Sequence, residues 1–76
     1  MLTNPIMLLD RARAAVRIAQ SCRSRELRAR HAAAARDYVD TAARGGADVA
    51  DVAADLERIE TELAQGVLFA REGGAQ

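Results

Sequence analysis

Residues 47–71 read ADVADVAADLERIETELAQGVLFAR, and their spacing decides the fold. Apolar or small residues recur at Val49, Val52, Leu56, Ile59, Leu63, Gly66 and Ala70, in steps of 3, 4, 3, 4, 3, 4. A strand repeats every two residues, so this is one narrow seam on an α-helix, of the kind that lies against another helix in a coiled coil. Gly45-Gly46 precede the stretch and Gly73-Gly74 follow it, both helix-stop signals. Asp48 is placed to cap the helix, and Asp51 suits the positive end of its dipole.

Working back toward the N-terminus, a second helix is expected over about 24–44. Its seam is Leu27, His31, Ala34, Tyr38 and Ala42, with Ser24 as N-cap and Glu26 in the first turn. The loop at Gly45-Gly46 is about three residues long. Helices joined so tightly lie side by side and antiparallel. Folding there sets Leu56 against Ala35, Ile59 against Ala32 and His31, and Leu63 against Leu27. Large residues would face small ones, and Asp55, Glu60 and Glu62 would fall near Arg36, Arg30 and Arg28.

An additional helix is expected over about 5–22. Asn4 caps it and Pro5 takes the first helical position, where no amide partner is needed. Its apolar face runs through Leu8, Leu9, Ala12, Ala15, Val16, Ala19 and Cys22, with Ile18 at its edge. The phase slips over Gln20 to Glu26, so a break or kink is placed near 21–24.

The chain of 76 residues is read as a single all-α domain. Eighteen of its apolar residues are Ala, which bury little surface, leaving twenty larger ones. So thin a core is marginal alone, and self-association is the ordinary remedy. Val67, Leu68 and Phe69 fall off the seam and make the helix apolar nearly all round. With Ile6, Leu8, Leu9, Val16 and Leu63 they form the expected interface of a helical-bundle homodimer or of a protein partner.

The formal net charge is zero but unevenly laid out. Residues 11–36 carry eight Arg against Glu26 alone, while residues 48–62 carry six acids against Arg58. All the basic residues are Arg. Beside so much Ala this reflects a GC-rich coding sequence rather than selection for phosphate forks. Arg13, Arg17, Arg23, Arg25, Arg28 and Arg30 are the candidate contacts in an alternative reading, a nucleic-acid-binding dimer. Their spread around the helix and the absence of interleaved aromatics weigh against it.

Catalytic patterns are weak. Cys22 and Arg28 have the C-x5-R spacing of cysteine phosphatases, but without the strand and glycines that such a phosphate loop requires. His31 is the single His, nine residues from the single Cys, which is no zinc spacing. It reads as a core-edge side chain bonded to Tyr38, Glu60 or water. The acids Glu57/Glu60 and Asp51/Asp55 read as a solvated face rather than general acid–base pairs. No enzyme activity, cofactor, metal or small-molecule substrate is therefore expected. Nothing approaches the ~20 apolar residues of a membrane span, and no secretory leader is apparent. The resulting expectation is a cytoplasmic, non-enzymatic interaction module: a bacterial or phage regulator or inhibitor that binds another protein.

Overall fold

A computed structural model describes the backbone of residues 4–75 and the side chains of residues 4–65. Three α-helices follow one another, α1 (Pro5–Ser21), α2 (Arg25–Arg44) and α3 (Ala50–Ala75), and there is no strand among the described residues.

The starts of all three helices and the ends of α1 and α2 are fixed by local chemistry. The Asn4 side chain accepts a hydrogen bond from the Ile6 amide at 2.9 Å, and Pro5 opens α1. The break falls at 22–24: the Cys22 amide closes α1 on the Ile18 carbonyl at 3.0 Å, and Ser24 Oγ accepts from the Leu27 amide at 3.3 Å to start α2. No Gly or Pro is needed here, because the polar run has no apolar anchor to carry the helix through. At the far end of α2 the Ala47 amide donates to the Ala42 carbonyl and the Gly46 amide to that of Ala43, both at 3.0 Å. This is a Schellman closure, and Gly46 takes the positive φ of 90° that it requires. Asp48 Oδ1 then accepts from the Ala50 amide at 3.1 Å. At the other end, Gly73-Gly74 fall within α3 instead of ending it. Glycine lowers helix propensity by ~1 kcal/mol without forbidding the conformation.

All three helices bury their stripes in one core. It comprises Leu8, Leu9, Ala12, Ala15, Val16 and Ala19 from α1, Ala32, Ala35, Val39 and Ala42 from α2, and Val52, Leu56 and Ile59 from α3. Six of these thirteen are Ala, all on α1 and α2. Small residues on both helices let two backbones approach closely, and the most extensive close approach in the fold is between α1 and α2. The two run in opposite senses. Pro5, at the start of α1, lies against Gly45, at the end of α2, so tightly that a Cβ on Gly45 would come within 2.7 Å of Pro5 Cγ.

Contacts between α2 and α3 include a bidentate ion pair, Arg36 Nε and Nη2 to the Glu60 carboxylate at 3.1 and 2.6 Å. The expected partner of Arg36 was Asp55, and that of Glu60 was Arg30. Arg36 spans the difference with its long side chain and also lies 3.8 Å from Asp40. Leu27, expected on the seam, is 47% exposed, whereas Val52, Leu56 and Ile59 are buried as their spacing indicates.

Candidate functional site

The interface residues proposed from sequence separate into three groups. Leu8, Leu9 and Val16 are buried within the chain's own core, where the paired α1 and α2 need them. Leu63 is half-buried against that core, and Ile6 is 66% exposed. Val67, Leu68 and Phe69 lie outside the described side chains.

The Arg candidates also divide. Arg28 donates from Nε to the Ala19 carbonyl at 3.2 Å and from Nη2 to the Cys22 carbonyl at 2.7 Å. Both carbonyls belong to the end of α1, which has no further turn to satisfy them. Arg28 therefore holds the α1–α2 junction, and the C-x5-R spacing reflects that brace: the guanidinium is occupied by backbone oxygens. Arg25 likewise donates to the Leu63 carbonyl on α3. Arg13, Arg17, Arg23 and Arg30 remain exposed. Arg13 lies 4.0 Å from Asp10, and Arg13 and Arg17 border a recess between α1 and α3 that Asp51 and Asp55 also line. Acidic side chains at that spot compete with any phosphate for the same two guanidinium groups.

Arg36 is the clearest case of one charge tuned by another. Its hydrogen bonds to Glu60 raise its pKa above the ordinary value, with burial acting in the opposite sense. Glu60, one of the three partners expected for His31 beside Tyr38 and water, is bonded to Arg36. His31 instead lines a groove between α1 and α2 together with Ile18 and Tyr38.

That groove is the most distinctive surface. Its walls are Arg11, Ala14, Ala15 and Ile18 on α1 and His31, Ala34 and Tyr38 on α2. Met7 continues the α1 row by helical spacing, and Leu27 continues the α2 row. Met7, Ile18 and Leu27 are 53%, 47% and 47% exposed. Sequence reasoning placed Ile18 only at the margin of the α1 face. On α1 the missed signal was a second apolar row, Met7–Ala14–Ile18, beside the row that enters the core. On α2 the row Leu27–Ala34–Tyr38 was read as the seam, but of that seam only Ala42 is buried, and α2 enters the core through Ala32, Ala35, Val39 and Ala42.

Among the described residues no group of three or more His, Cys, Asp or Glu side chains could hold a metal ion, and no helix is long and apolar enough to cross a membrane. No protein family, no curated protein and no solved structure matches this chain.

Proposed function

We propose that this chain is a non-enzymatic helical protein–protein interaction module, a homodimer that regulates or inhibits another protein in the cytoplasm. The observation that carries the reading is the exposed apolar face of α1 and α2. Three large apolar side chains stand about half in water there, on a bundle whose own core is nearly half alanine. A small domain that leaves such a face open gains stability by covering it. In this reading residues 24–44 and 48–72 form an antiparallel helical hairpin. The Arg36–Glu60 pair and the Arg25 bond to the Leu63 carbonyl support it.

The test is paired. Light scattering at tens of micromolar should give twice the chain mass. A partner retained from the native host by the wild type should be lost by Ile18→Asp at unchanged helix content. A monomer that retains nothing, or equal retention by both chains, would refute the proposal. The nucleic-acid reading has narrower support, the exposed Arg13, Arg17, Arg23 and Arg30. A mobility shift that strengthens as salt is lowered would favour it.

A further inference from the structure

We infer that a second copy of this chain covers the open α1–α2 face, in a face-to-face arrangement whose two-fold axis passes beside Ala14 and Ala34. The inference rests on the self-association proposed above and says which surface mediates it. Its basis is the charge pattern along the rim.

On α1 the outer edge of the face carries Asp10 and Arg17, seven residues apart and so at nearly the same angle around the helix. On α2 the outer edge carries Arg30 and Asp37, also seven apart. The two helices run in opposite senses, so the charge order is the same along both edges: acid then base on α1, base then acid on α2. The midpoint of the first pair lies beside Ala14, and that of the second beside Ala34. These two alanines line the same groove. All four charged residues are exposed. Among the described residues Arg30 and Asp37 have no ion-pair partner, Arg17 borders the recess lined by Asp51 and Asp55 without an ion pair to either, and Asp10 has only Arg13 at 4.0 Å.

A two-fold axis lying in the interface across both helices lays α1 antiparallel on its copy and α2 antiparallel on its copy. Asp10 then meets the second copy's Arg17, and Arg30 meets its Asp37. By symmetry each pair forms twice. The apolar rows meet inside this rim, with small Ala14 and Ala34 at the centre, where close approach is needed. The same surface is presented by both partners, as an isologous interface demands. Arg11 and His31 keep the face mixed, which suits a dissociable dimer better than an obligate one.

Charge reversal tests it. Sedimentation velocity of the wild type from about 1 to 200 μM should show a monomer–dimer equilibrium. Arg17→Asp sets Asp10 against an acid twice per dimer and should weaken association about tenfold or more; Asp10→Arg sets two bases together with the same result. An equimolar mixture of the two variants restores both contacts, so it should dimerise at least tenfold more tightly than either alone. Ala14→Arg should abolish the dimer at unchanged helix content. A dimer indifferent to these changes, or a mixture no tighter than its components, overturns this interface while leaving self-association through another surface standing. A wild type that is monomeric throughout overturns both.

Discussion

Leu56 and Leu27 are the same residue type, and both were expected in the same helix–helix seam. Leu56 has no exposed surface and is the largest fully buried side chain among the described residues, while Leu27 is 47% exposed. Replacing each by Ala therefore isolates the effect of burial. Leu56→Ala removes three carbon groups from the core, a transfer loss of roughly 2 kcal/mol at ~0.8 kcal/mol per group. It also leaves a cavity beside core residues Val39, Val52 and Ile59. Helices braced by caps and by the Arg36–Glu60 pair close that space only in part, so the whole cost should be about 3–4 kcal/mol. A domain of this length has roughly 4–11 kcal/mol of stability in total. The melting midpoint should fall by about 12–30 °C, and a chain at the low end would be largely unfolded at room temperature. Leu27→Ala loses about half the transfer term and leaves no closed cavity, so about 1 kcal/mol is expected. Urea unfolding followed by far-UV circular dichroism measures both. Repeating it at two concentrations a hundredfold apart separates folding from self-association, since only the latter depends on concentration. Equal costs for the two substitutions would show that Leu27 is buried like Leu56 and would refute the packing described. A cost below about 1 kcal/mol for Leu56→Ala would refute the core itself.

Arg28→Met keeps the apolar stem but removes both hydrogen bonds to the end of α1, and should cost about 1–2 kcal/mol in urea unfolding; Arg28→Lys, with no fork, should recover only part of it. Gly45→Ala drives a methyl group toward Pro5 Cγ and should cost about 1–3 kcal/mol, most of it relieved in the double variant with Pro5→Ala; additive costs would mean that the two residues do not touch. The Arg36–Glu60 pair is bidentate but with side chains 31% and 39% exposed, so a double-mutant cycle should give a coupling of only about 0.5–1 kcal/mol. Because Arg36 is raised above its ordinary value, its share of that stability is fully present below the unfolded value and is lost only as pH rises through the still higher folded one. The coupling should therefore hold unchanged between pH 7 and 10, measured by the same cycle.

Apart from the end of α3, where Gly73-Gly74 do not stop the helix, the helix ends were legible because capping is local chemistry. Asn4-Pro5, Ser24, Gly45-Gly46 and Asp48 act within a few residues of themselves, and each performs the role its type suggests. The buried row Val52, Leu56 and Ile59 was legible from periodicity alone. Pairing was not. A helical stripe states which side of a helix is apolar but not which neighbour covers it, and with three helices there are several ways to match the stripes. The charge partners went astray for a related reason. An Arg side chain reaches across more than a turn, so matching acids to bases by register alone cannot separate Asp55 from Glu60 as the partner of Arg36. Arg28 was hidden by its partners being backbone carbonyls, which have no signature in a residue string. The pointer available was that a helix ending without glycine leaves carbonyls that need a donor nearby.

The distribution of alanine explains both the fold and the face it leaves open. Ala12, Ala15 and Ala19 on α1 and Ala32, Ala35 and Ala42 on α2 are all buried, while among the described residues α3 contributes only Val52, Leu56 and Ile59 to the buried set. Small against small gives α1 and α2 the most extensive close approach among the described residues, and α3 packs on them through branched side chains. A closely packed helix pair presents two grooves, one on each side. The large residues of α3 occupy one, with Val16 and Val52 beside each other at a shallow recess. The other carries Ala14, Ile18, Ala34 and Tyr38 and receives nothing from the described part of the chain. The same economy in side-chain volume that lets the first pair form leaves the second side open among the described residues. That open side carries a rim whose charges complement their own two-fold image, which is what the proposed second copy would meet.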